Sequence, residues 1–135
     1  LLEYEKHNKM KQFVHDLNWI YRENDCLYEE DFSWNGFEWL NVDTTNSVIA
    51  FIRKNHKGEE IICLFNFSPL SIDNYELGVN KKGKYQVILN TNEEKYGGND
   101  TINKYLTTAK LNRHGKENSI KIDLKANQGL LIKKI

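Results

Sequence analysis

The chain has 135 residues, enough for one domain or for a small domain with an appended piece, and 12% of them are aromatic. A chain of this length buries roughly two-thirds of its unfolded surface, so its core needs no metal and no disulfide framework. Its 19 basic and 19 acidic residues cancel, which removes the global field that selects nucleic acid or an anionic membrane; neutral polysaccharide or another protein surface stays compatible.

The opening run, Leu1-Leu2-Glu3-Tyr4-Glu5-Lys6-His7, lacks the basic-then-apolar order of a secretory signal. No stretch approaches the ~20 apolar residues of a membrane span, and a cytoplasmic setting is expected. The chain does not start with Met and begins in mid-pattern, so a piece of a longer polypeptide is the expectation.

Residues 6–24 carry helical periodicity. Met10, Phe13, Val14, Leu17, Ile20 and Tyr21 form one apolar stripe, and Lys9, Lys11, Gln12, His15, Asp16 and Arg22 form the wet face. Asn24-Asp25 stops this helix, and Asp25 can cap a short turn through Cys26-Leu27-Tyr28.

Beyond Asp31 the period changes to that of strands. Phe37-Glu38-Trp39-Leu40-Asn41-Val42 alternates, Ser47-Val48-Ile49-Ala50-Phe51-Ile52-Arg53 is a second strand, and residues 60–67 pair back on it through the turn at Asn55-His56-Lys57-Gly58-Glu59. The single proline, Pro69, sits just past that strand, where a missing amide donor does no harm. Further strands are predicted at 74–78, 84–89, 119–124 and 130–134, punctuated by Gly83, Gly97-Gly98, Gly115 and Gly129. The pattern predicts a mainly β fold, an antiparallel β-sandwich or barrel preceded by an amphipathic helix. Residues 48–52 and 61–65 are apolar at every position, so both strands are expected to be covered on both faces, by the facing sheet on one side and by the helix or a missing neighbour on the other.

The candidates for chemistry are few. Glu29-Glu30-Asp31 is read as solvated surface, since a glycosidase pair needs carboxylates facing each other ~5–9 Å apart from separate elements. His7 and His15 are not at the i, i+4 spacing of a helical metal pair, and His56 and His114 lie beside turn glycines. Cys26 and Cys63 are expected to be reduced, Cys63 as a small buried hydrophobe within Ile61-Ile62-Cys63-Leu64-Phe65. No metal or cofactor is expected. Aromatic faces beside amides grip sugar rings, which makes Trp34, Trp39 and Tyr96 the sugar-contact candidates. Trp39, alternating with Phe37, is expected in the core, and Trp34 exposed.

The residues also carry a resemblance. Asp16-Leu17-Asn18-Trp19-Ile20-Tyr21-Arg22 resembles the D-L-N-x-x-Y-R segment of glycogen branching enzymes, and Gly36-Phe37-Glu38-Trp39 their G-F-x-W stretch. Asn66-Phe67-Ser68-Pro69 is similar to their N-F-T-P, and Leu89-Asn90-Thr91, Tyr96-Gly97-Gly98 and His114-Gly115 continue the match in order. The chain departs from the family at Glu3-Tyr4-Glu5-Lys6-His7, where a D-Y-P-x-H is usual, and at Leu124-Lys125-Ala126, where L-P-P is usual. The resemblance implies a parent of the α-amylase superfamily (glycoside hydrolase family 13), which cuts an α-1,4-glucan and rejoins it through an α-1,6 link by retaining chemistry. The carboxylates for that chemistry belong to an upstream (β/α)8 barrel, so none is carried over to this chain.

On that resemblance, residues 1–33 would be the last helical segment of the barrel and 34–135 the C-terminal all-β sandwich. The partners would be the upstream barrel of the same polypeptide and α-glucan or glycogen. Three functions compete: a structural, non-catalytic accessory domain; an autonomous carbohydrate-binding module; and a small self-contained enzyme, which the lack of a paired acid and base disfavours.

Overall fold

The computed structural model describes residues 4–99 and 104–135; Leu1-Leu2-Glu3, at the head of the run read for a signal, lies outside them. Among the described residues the chain forms one α-helix, α1 (Glu5–Glu23), and eight strands. These are β1 (Phe37–Asp43), β2 (Val48–Lys54), β3 (Glu60–Asn66), β4 (Ile72–Val79), β5 (Lys84–Asn90), β6 (Tyr105–Thr107), β7 (Asn118–Leu124) and β8 (Gly129–Lys134). Helix and strands fall where the hydrophobic periods predict them. Only β6 escapes, because three residues are too few to show a period. No described helix is long and apolar enough to cross a membrane.

The strands make an antiparallel sandwich. Six of them form one sheet in the order β1-β2-β3-β8-β5-β6, and β4 pairs with β7 in the other. The main core lies between the sheets, where Val48, Ala50, Ile52, Ile62, Leu64, Leu130 and Ile132 meet Leu77, Ile120 and Leu124. In register, Leu64 stands between Ala50 of β2 and Leu130 of β8, so the centre of the large sheet is dry.

A second core forms on the outer face of the large sheet. Phe13, Leu17 and Ile20 of α1 pack against Ile61, Cys63, Leu89, Leu131 and Cys26. β3 is therefore buried on both faces, as its unbroken apolar run predicts, whereas the outward residues of β2, Ile49 and Phe51, are only half covered. The helix meets the sheet with half of its stripe. Met10, Val14 and Tyr21, expected in the same seam as Phe13, Leu17 and Ile20, remain exposed. A straight helix can lay only one narrow seam on a sheet, and six residues span more than that seam.

Polar clips set the position of the helix. Lys133 Nζ donates to Asn24 Oδ1 at 3.0 Å, and the buried Asn55 donates through Nδ2 to Asp25 Oδ1 at 2.9 Å. The hairpin at Arg113–Lys116 turns through His114 and Gly115, both at positive φ, as a tight hairpin turn requires.

Candidate functional site

The outer face of the large sheet is divided between the helix and aromatic rings. On the β1–β2–β3 side the rings form a continuous stripe. Phe37 stacks on Phe51 with centroids 5.2 Å apart, and Trp39 meets Phe37 edge-on at 5.0 Å. Phe51 is followed by Phe65 at 6.0 Å, and Phe65 by Phe67 at 5.8 Å. The unbroken apolar runs of β2 and β3 were the signal for this stripe, but they do not say how much of it stays open.

Trp39 corrects an expectation. It lies outside the core and is 56% exposed. Alternation places Phe37 and Trp39 on one face of β1, but that face is the outer one. Leu40, the next residue, faces the core, and a bulge between Trp39 and Asn41 brings Asn41 to the same side, where its Nδ2 donates to the phenol oxygen of Tyr75 at 2.9 Å.

Trp34 is 88% exposed and Phe32 fully so. Both stand on the connection between the short turn Asp25–Leu27 and β1. Together with Glu30, Asp31, Ser33, Phe37 and Arg53 they line a cleft of about 350 Å3 at one end of the aromatic stripe. A smaller hollow of about 290 Å3, lined by Val42, Asp43, Thr44, Ser47, Ile49 and Phe67, marks the opposite end. Arg53 Nη2 is hydrogen-bonded and ion-paired to Asp31 Oδ1. Arg53 and Phe32 escaped the sequence reading, because a pairing across 22 residues leaves no local pattern. Arg53 Nε is buried with no hydrogen-bond partner among the described residues, a situation that native structures seldom show.

Tyr96 stands elsewhere, at the helix rather than beside the tryptophans. Its ring meets Phe13 edge-on at 5.2 Å and its hydroxyl donates to Asp16 Oδ2 at 2.5 Å. That hydrogen bond, above all, holds the Asp16 carboxyl at about 2 rather than its ordinary 3.8; His15, Lys95 and Gln12 assist. A depressed carboxyl stabilises the fold above its unfolded value, so Asp16 contributes fully above about pH 4 and loses that contribution as pH falls through about 2. Tyr96→Phe is expected to return the Asp16 pKa toward 3.8 in a carboxylate NMR titration; a value still near 2 would refute the link.

The remaining candidates are accounted for by ordinary contacts. Glu29 accepts the His56 backbone N–H at 3.2 Å and pairs with its ring. His114 Nδ1 accepts the backbone N–H of Gly78 at 3.2 Å, and burial lowers its pKa. Cys26 and Cys63 are both free and buried, and Cys26 Sγ donates to the Glu59 carbonyl at 3.3 Å. No group of three metal-binding side chains occurs among the described residues.

Residues 39–134 match the family described as alpha amylase, C-terminal all-beta domain. The chain is similar to the 1,4-alpha-glucan branching enzyme GlgB of Photobacterium profundum, with 42% identity over 125 residues, which is 91% of this chain and 18% of that protein. Against the branching enzyme GlgB of Prochlorococcus marinus (strain MIT 9515) the identity is 39% over 127 residues, covering 92% and 17%. The enzyme of the same name from strain MIT 9211 is 42% identical over 105 residues, covering 76% and 14%. The chain thus spans less than a fifth of the length of the curated relatives it matches.

Proposed function

Because this chain belongs to the family of α-amylase C-terminal all-β domains, we propose that it is the non-catalytic accessory domain of a cytoplasmic 1,4-α-glucan branching enzyme. The parent would cleave an α-1,4-glucan and transfer the cut end to a 6-hydroxyl, making the α-1,6 branches of glycogen. Its reacting carboxylates would lie upstream. Residues 1–33 would be the last helical segment of the catalytic barrel and 34–135 the sandwich that holds it in place.

The observation that carries this reading is the uncovered half of α1. A helix that docks Phe13, Leu17 and Ile20 while leaving Met10, Val14 and Tyr21 of the same stripe exposed has apolar surface left uncovered. Such a helix fits between two bodies, and here only one of them is present. The sheet repeats the message, since Trp39, Val42 and Phe67 leave the outer end of the aromatic stripe open to water. More than four-fifths of each relative lies outside the matched stretch, which supplies ample chain for the second body.

Complementation tests the reading. The chain alone is expected to leave the iodine spectrum of amylose unchanged. Mixed or co-expressed with the upstream part of the Photobacterium relative, it should yield soluble protein that shifts the spectrum. Val14→Asp with Tyr21→Asp should abolish complementation, yet keep the strand signal in circular dichroism. Turnover by the chain alone, or complementation untouched by the double substitution, would overturn the proposal.

A further inference from the structure

The cleft around Trp34 has a composition that docking between apolar surfaces does not require. Its loop is built to hold still. Ser33 Oγ accepts the Asn35 backbone N–H at 3.1 Å and caps the short turn Trp34–Gly36. Gly36 is buried so tightly that a Cβ there would come within 2.4 Å of Glu30 Cβ. This fixed loop nevertheless leaves Phe32 and Trp34, the two large rings of the segment, standing in water. An exposed ring on a rigid support is costly surface unless something stacks on it.

The polar half of the cleft supplies both kinds of hydrogen-bonding group. Asp31 engages Arg53 Nη2 through Oδ1, and among the described residues its Oδ2, the Glu30 carboxylate and Arg53 Nη1 make no other hydrogen bond. Acceptors and a donor therefore lie beside an aromatic face, held in place by an ion pair. That combination suits a ligand whose hydroxyls both donate and accept and whose ring has an apolar C–H face. The carboxylates oppose a phosphate-bearing chain, and the balanced net charge offers no attraction to one. The volume, about 350 Å3, lies at the small end of the roughly 300–1,000 Å3 of ligand sites.

We infer that this cleft is a contact site for a neutral α-1,4-glucan chain, with a glucosyl ring stacked on Trp34 beside Phe32, hydroxyls donating to Asp31 and Glu30, and Arg53 donating to a ring or hydroxyl oxygen. The choice of polymer rests on the branching-enzyme reading; the choice of a neutral sugar rests on the cleft itself. Because the cleft adjoins the aromatic stripe through Phe37, a chain held there would run along the edge of the body that covers the stripe. Such a site touches no reacting atom and acts by retaining substrate.

Titration of maltohexaose into the chain, followed by NMR of the indole N–H groups and the Arg53 side chain, tests this. Saturable shifts are expected at Trp34 and Arg53. Trp34→Ala and Arg53→Met should each weaken binding by about tenfold or more. Trp39→Ala, on the stripe outside the cleft, should change binding by less than about twofold. Because Arg53 also supports the loop, Phe32→Ala, which removes a fully exposed ring, serves as the second cleft variant and should also weaken binding. No saturation up to roughly 50 mM, or a loss caused by Trp39→Ala but not by Trp34→Ala, would overturn the inference. Either result would leave the complementation test of the accessory-domain reading untouched, so the two can fail separately.

Discussion

In a Cys26→Ser background, Leu17→Asp is expected to raise the reaction rate of Cys63 with a disulfide reagent by about 100-fold, through a loss of roughly 3 kcal/mol of helix docking. Cys63 lies under the helix in the second core, only 4% exposed, and burial pushes its thiol up to about 12 from 9.0, with Arg53 acting weakly in the other direction. It is therefore silent unless the helix lifts. Leu17 is the central residue of the seam Phe13–Leu17–Ile20, and an aspartate there would press a charge against the apolar second core. The helix should leave the sheet before that charge is buried. Serine at position 26 keeps the donor that reaches the Glu59 carbonyl, so the background should retain its local structure. Helical circular dichroism should fall while strand signal persists, since the inter-sheet core does not use the helix. Unchanged Cys63 reactivity would mean that the sheet, rather than α1, protects the thiol.

Leu64→Ala should cost about 3 kcal/mol of unfolding free energy and lower Tm by about 10 °C, within the span of buried leucine truncations in domains of this size. Leu64 is 0% exposed, between Ala50 and Leu130 at the centre of the large sheet and facing β4 and β7 across the core. Ala50 is already small, so the space left by the lost side chain has no bulky neighbour in register on β2 to fill it. Trp39→Ala provides the contrast. It removes a larger side chain from the same sheet, but from the outer face and half in water, where it loses only its edge-on contacts with Phe37 and Phe51, so the unfolding free energy of the chain should fall by about 1 kcal/mol, clearly less than at Leu64. Urea unfolding of both variants decides the matter. Equal losses at the two positions would show that the aromatic stripe is part of the folding core and is not a surface kept for another body.

These two positions also mark what could be read along the chain. Period alone separated the helix of α1 from the strands that follow, and the unbroken apolar run of β3 announced a strand covered on both sides. The burial of Cys63 followed from the same run. β6 left too short a trace. The bulge in β1 left none, because a bulge moves one residue across the sheet without changing composition.

The candidate site divides in the same way. Trp34 was legible as an exposed ring on a connection lacking any strand or helix period. Trp39 was not, since alternation tells which residues share a face and says nothing about which face meets the core. Tyr96 and Asp16 are 80 residues apart and Arg53 and Asp31 are 22 apart, so neither pair could be anticipated.

What this sequence determined unaided is local or repetitive: element types, an antiparallel all-β body behind a helix, the burial of Cys63, and family membership carried by ordered motifs. Tertiary structure alone decided how far α1 covers the sheet, which rings stay wet, and which charged groups meet in the cleft. The physical reason is that hydrophobic period is written every two or three residues, whereas the coverage of a surface depends on distant segments competing for the same area.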